Sequence, residues 1–249
     1  MTKVIVRADD LGYSEAVNLG IEKTVKDGII NNVGVMVNMP ATQHGLDLLT
    51  GTNVCLGCHT VICAGRPLTD PKLIPSITTP DGYFKPSKVY RSAKHDFVNL
   101  DEVIIEIEAQ YQRFVTLTGH KPGYFEGHAV VSDNFIKGLQ LVAEKHGVRF
   151  LNFSFDGTPT PLNGKKLYVA MESMQPNYDP LVTLKKMALA PHTDGYGVMV
   201  CHPGYLDNYI LTHSSLTIPR TQEVAMLCSD ETRDWLKEND IELIRYDEV

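Results

Sequence analysis

Seven short apolar or β-branched runs recur along the chain with helical patterns in most of the gaps, and this alternation limits the fold more than any other feature. The runs occupy residues 3–8, 32–38, 54–61, 123–131, 149–154, 197–201 and 241–246. Helical patterns are predicted over residues 14–27, 42–49, 100–118, 132–146, 179–189 and 221–239. Strand, helix and strand in succession build a parallel sheet covered by helices. The expectation is an α/β fold, a distorted (β/α) barrel with a mostly parallel sheet of about seven strands. The helix over 100–118 is the best defined, because acidic residues open it and Gly119 stops it. Gly28 and Gly147 also stand where helices should end.

No repeat, low-complexity tract or linker divides the chain, so residues 1–249 are expected to form a single domain. A chain of 249 residues, 43% hydrophobic and 21% charged, can bury a large core. The formal net charge of −7 leaves no basic face for a phosphate backbone, which argues against nucleic acid as a partner. Five cysteines without the spacing of a small disulfide scaffold point to a reducing compartment. Cys55 and Cys58 lie in an apolar run and read as core residues rather than a zinc or redox pair. No apolar run approaches membrane-spanning length, and "MTKVIVRADD" enters a strand directly. A cytoplasmic protein with no membrane partner is therefore expected. A homodimer would suit this size, although no residue argues for one.

Three long segments, 69–99, 156–177 and 203–219, each follow a strand and are read as irregular. In a parallel sheet they should gather at the carboxyl edge, where α/β barrels build their sites. They carry the aromatic stretches "DGYFKPSKVY", "PNYD" and "PGYLDNY".

Four polar groups close strand-like runs: Asp9 with Asp10 in "RADDLG", His59 in "LGCHTV", His128 in "FEGHAVV" and His202 in "VCHPGY". Taken singly, two aspartates before a glycine can be a turn and a cap, and a strand-end histidine can be a satisfied core residue. Their shared placement at one edge favours a site. One carboxylate and two imidazoles suit a catalytic divalent cation. A cation at one aspartate also offsets the repulsion and desolvation that its neighbour would otherwise suffer. That neighbour can then take a proton from water, and His202 can protonate a leaving group.

Together with "GCHTVICAGRPL", "DGYF", "CHPGY" and "RTQEVAML", the opening "RADDLGYS" resembles the YdjC-like family of carbohydrate deacetylases, which includes the chitooligosaccharide deacetylases. The resemblance runs over nearly the whole chain. It implies a distorted barrel, one divalent metal ion (Mg2+ or Zn2+), and hydrolysis of the N-acetyl group of an amino sugar or short chitooligosaccharide, a small carbohydrate substrate. It implies Asp10, His59 and His128 as metal ligands, Asp9 as catalytic base and His202 as acid. Arg66, Arg220 and Glu223 match family positions with structural or substrate-binding roles. Tyr83, Phe84 and Tyr205 are candidates to stack on a sugar ring. Two imidazoles favour zinc, manganese, cobalt or iron over magnesium.

The sequence departs from the family in "EGHAVVS", where Glu126 replaces the usual aspartate and residues 129–131 hold none of the further histidines. "GCHTVI" likewise replaces Gly-Leu-His-Leu. Two alternatives follow: a sugar-binding or regulatory protein that has lost turnover, and a metal-dependent hydrolase of another bond such as a phosphoester. Negative charge and few arginines near the motifs weigh against the last.

Overall fold

The computed structural model describes residues 1–154 and 156–249. In chain order the elements are β1 (Thr2–Leu11), α1 (Glu15–Lys26), β2 (Asn32–Val35), α2 (Thr42–Leu48), β3 (Cys55–Thr60), α3 (Ser87–Ser92), α4 (Leu100–Thr118), β4 (Phe125–Gly127), α5 (Asp133–His146), β5 (Thr160–Leu162), β6 (Lys165–Ala170), α6 (Pro180–Ala188), β7 (Gly195–Cys201), α7 (Asn208–His213), α8 (Ile218–Leu227), α9 (Asp230–Glu238) and β8 (Ile241–Leu243). The strand order is β4-β3-β2-β1-β7-β6-β5, with β8 also pairing β1. β1 runs parallel to β7 and β8, β3 to β4, and β6 to β7, whereas β5 and β6 are antiparallel. The expected mostly parallel α/β sheet is present.

Several details correct the sequence reading. The segment 156–177, expected to be irregular, contains the hairpin β5–β6. Its turn is Asn163–Gly164, both with positive φ (48° and 78°), the conformation that two-residue hairpin loops require. Conversely, the run at 149–154 forms only an isolated bridge, Phe125 to Phe150. The helix expected over 221–239 is two helices. Ser229 accepts a hydrogen bond from the Thr232 N–H at 3.1 Å and so starts α9 afresh. Short helices α3 and α7 stand inside the other two long segments.

The residues group into two compact units. The first comprises Met1–Gly34, Ala41–Leu56 and Phe153–Val249. Its centre is β1, whose residues from Val4 onward are buried without alternation, as expected of a strand covered on both faces. Ser14 caps α1 by accepting from the Val17 N–H at 3.2 Å. A Cβ added to Gly20 on α1 would lie 2.4 Å from Gly204 Cα, so only glycine lets the segment after β7 approach this helix. The Tyr205 N–H donates to Ala16 O at 3.1 Å and completes that contact.

The second unit comprises Val35–Pro40 and Gly57–Asn152. Here α4 has the bounds predicted from sequence. Asn99 caps its start, and Gly119 ends it in the left-handed region at φ 77°. Two buried polar residues on α4 hold the loop after β3. Gln110 exchanges hydrogen bonds with the Val61 N–H and C=O at 2.9 and 2.6 Å. Glu106 accepts from the Leu68 and Thr69 N–H groups at 3.1 and 2.9 Å. Backbone groups that would otherwise be unpaired in this loop are thereby satisfied.

Candidate active site

Asp9 and Asp10 lie near the end of β1, and His202 directly follows β7. Ala8 pairs with Cys201 across the β1–β7 ladder, so Asp9 and His202 are the next residues along neighbouring parallel strands. Both carboxylates are buried, and each has its own guanidinium. Arg7 Nη2 donates to Asp9 Oδ2 at 2.6 Å, and Arg220 Nη2 donates to Asp10 Oδ2 at 2.7 Å. Residues i and i+2 share a strand face, which is why the strand itself can supply Arg7 to Asp9. The Arg7 guanidinium lies 4.7 Å from the Phe153 ring, and that of Arg220 lies 5.6 Å from the Tyr13 ring. None of the four charged residues exceeds 2% exposure. Buried charges of this kind persist only when paired and hydrogen-bonded.

The Asp10 backbone has φ 76°, a left-handed conformation uncommon outside glycine. The turn that follows is closed by Tyr13 N–H to Asp10 O at 3.0 Å and by Gly12 N–H to Asn18 Oδ1 at 2.7 Å. Surrounding hydrogen bonds thus impose a conformation that the residue alone would disfavour.

His202 is held through its backbone. Its N–H donates to Glu223 Oε2 at 2.6 Å, and its C=O accepts from Arg220 Nη1 at 3.2 Å. The Tyr178 hydroxyl donates to Glu223 Oε1 at 2.8 Å. Burial pushes the Glu223 carboxyl up to about 7, against the opposing hydrogen bonds from Tyr178 and the His202 N–H and the charge of Arg220.

In the second unit, His59 on β3 and Glu126 on β4 are partners in the parallel ladder. Glu126 Oε1 hydrogen-bonds His59 Nδ1. His59 Nε2 then faces His128 Nδ1 at 3.0 Å, the two rings meeting edge to face with centroids 5.0 Å apart. The His128 N–H donates to Thr60 O at 2.8 Å, which anchors His128 just past β4. Glu126, seen in the sequence only as a departure from the family pattern, is the residue that orients His59. Its cross-strand position was not readable from a one-dimensional pattern.

The first unit offers the buried carboxylates of Asp9 and Asp10, and the second offers the imidazoles of His59 and His128 with the carboxylate of Glu126. Mixed carboxylate and imidazole donors suit a divalent transition metal, so the residues present fit the implied cofactor.

The residues proposed to touch substrate are placed differently from one another. Arg66 is exposed, and its guanidinium lies 4.0 Å from the ring of Tyr83, which is 45% exposed. Phe84 is buried, its backbone N–H donating to Gly65 O at 3.0 Å. Tyr205 is 41% exposed. Arg220 is buried, with its guanidinium committed to Asp10, His202 and Leu216.

The profile of the YdjC-like protein family matches residues 3–238. The chain belongs to this family. Carbohydrate deacetylase 2 of Listeria innocua is 30% identical over 99% of this chain and 98% of its own length. Chitooligosaccharide deacetylase of Citrobacter koseri is 29% identical over 91% of this chain and 90% of its own. Among solved structures, an Enterococcus faecalis protein provisionally described as a cellobiose-phosphate cleavage protein shares 22% identity. It aligns with a TM-score of 0.83 over 99% of this chain and 98% of that one, which shows a common fold. No helix among the described residues of this YdjC-like protein is long and apolar enough to cross a membrane.

Proposed function

We propose that this YdjC-like protein is a metal-dependent hydrolase that removes the N-acetyl group from an N-acetylated amino sugar or short chitooligosaccharide. The observation that carries this reading is the donor chemistry, a buried Asp10 carboxylate at the end of β1 and the His59 and His128 imidazoles of the second unit, in a family whose curated relatives are named carbohydrate deacetylases. These three residues would hold a divalent cation, with zinc favoured over magnesium by the two imidazoles. When bound, such a cation supplies Lewis-acid chemistry, polarising an amide carbonyl and acidifying water.

The remaining work falls to the chain. Asp9 accepts the proton of the attacking water at its carboxylate, while the hydrogen bond from Arg7 holds that carboxylate in place. His202 gives a proton to the amine nitrogen as the C–N bond breaks, because an unprotonated amine is a poor leaving group. Glu126 orients His59 through Nδ1. That hydrogen bond supports turnover over the alternative of a sugar-binding protein that has lost it. Tyr83 and Tyr205, both partly exposed, are suited to pack on a sugar ring.

Acetate release from N-acetylglucosamine oligomers, measured with and without chelator, tests this reading. Acetate that disappears with chelator and returns with added Zn2+ is expected. Tight sugar binding without acetate would replace it with the non-catalytic reading, and phosphate release from a phosphomonoester would replace it with the phosphoesterase one.

A further inference from the structure

Arg220 and Glu223 stand three residues apart on α8, and both bind the backbone of the same residue, His202. Glu223 takes its N–H and Arg220 its C=O. Residues i and i+3 share one helix face, so a single face of α8 fixes the two polar backbone groups of His202. The chain on either side is fixed by Cys201 in β7 and by the close contact of Gly204 with Gly20, the Gly204 N–H also donating to Arg220 O at 3.3 Å. What α8 decides is how the His202 backbone is oriented between those two anchors.

The second oxygen of Glu223 is taken by the Tyr178 hydroxyl at 2.8 Å. Tyr178 precedes Asp179, whose carboxylate caps α6 by accepting from the Leu181 and Val182 N–H groups at 2.9 and 3.2 Å. Its backbone is therefore anchored by the start of a helix. A fully buried carboxylate is costly to keep, and packing alone would be met by an apolar side chain. A Tyr178–Glu223–His202 chain of hydrogen bonds gives that carboxylate a purpose that packing does not.

We propose that Tyr178 and Glu223 are positioning residues for His202, setting the backbone orientation from which its imidazole reaches the departing amine. The inference rests on His202 being the acid. Its signature is therefore a defect confined to reactions whose leaving group needs a proton.

The test compares two substrates on the full chain supplied with Zn2+. Di-N-acetylchitobiose loses an amine that must be protonated, whereas 4-nitrophenyl acetate loses a phenolate that need not be. Tyr178→Phe should lower kcat on chitobiose about tenfold with KM within about twofold, and change nitrophenyl acetate turnover less than about twofold. Glu223→Ala should show the same split at about a hundredfold, while Glu223→Gln, which keeps an acceptor for the His202 N–H, stays within about threefold on both substrates. Equal losses on both substrates, no loss in Tyr178→Phe, or a Glu223→Gln as impaired as Glu223→Ala would overturn the inference. If Glu223→Ala does not fold, Tyr178→Phe decides alone. His202→Ala is the control. Should it lack the amide-selective loss, the acid assignment falls and takes this inference with it. Should it show that loss while Tyr178→Phe and Glu223→Ala do not, only the inference falls.

Discussion

Glu126 faces His59 across the β3–β4 ladder and hydrogen-bonds its Nδ1, leaving Nε2 turned toward His128. A carboxylate behind an imidazole fixes its tautomer and ring orientation, and losing such a partner typically weakens metal binding by about 10- to 100-fold. Glu126→Ala is expected to lose Zn2+ affinity on that scale, read by competition with a chromophoric chelator. Unchanged affinity would mean that the contact does not serve a metal.

Asp9 and Asp10 are neighbours in sequence with separate tasks. Asp9→Asn should lower kcat for deacetylation by about 10²- to 10⁴-fold, the range for a lost general base, while the bound metal per chain stays at the wild-type level. Asp10→Asn should lower metal content as well. Activity and metal content are measured on the same preparation, and an Asp9→Asn protein with near-normal turnover would remove Asp9 from the base role.

The fate of these residues shows how far sequence reading reaches. Burial of β1 on both faces leaves an apolar run interrupted by Arg7, so a carboxylate pair at its end stood out, and α4 was bounded by its cap and its glycine. The ladder contact of Glu126 with His59 joins residues 67 apart, and the Tyr178–Glu223 contact joins residues 45 apart. Local pattern carries no signal for either. The hairpin β5–β6 was legible in principle, since Asn163–Gly164 is a turn pair, but its strands are short and its β5 contains Pro161. The break between α8 and α9 is marked by Ser229 with the acidic Asp230 and Glu231 behind it, a helix-start signal that lies inside one predicted helical run.

Arg220 pairs with Asp10 where both are buried. Removing one member of a buried pair strands the other charge, at a typical cost of about 3–5 kcal/mol. Arg220→Met is expected to lose stability on that scale in urea denaturation of metal-free protein, and to recover part of it when Zn2+ supplies a positive charge to Asp10. A loss below about 1 kcal/mol would show the pair to be energetically neutral.

Glu223 makes stability depend on pH. Burial raises its carboxyl from 4.5 to about 7, so between those values the native state keeps a proton that the unfolded chain has released. Its contribution is present in full below pH 4.5 and is lost as pH rises toward about 7. Unfolding free energy of the wild type relative to Glu223→Gln should therefore fall across this window, by roughly 3 kcal/mol at most. A difference that rises with pH, or stays flat, would contradict the burial of an ionisable Glu223.

The central claim is that residues from β1, β3 and the segment after β4 hold one cation. A crystal structure of the protein soaked in Zn2+, with data collected at the zinc absorption edge, measures this most directly. The predicted result is one anomalous peak with Asp10, His59 and His128 as its protein ligands; a peak on other residues, or none under saturating Zn2+, would contradict it.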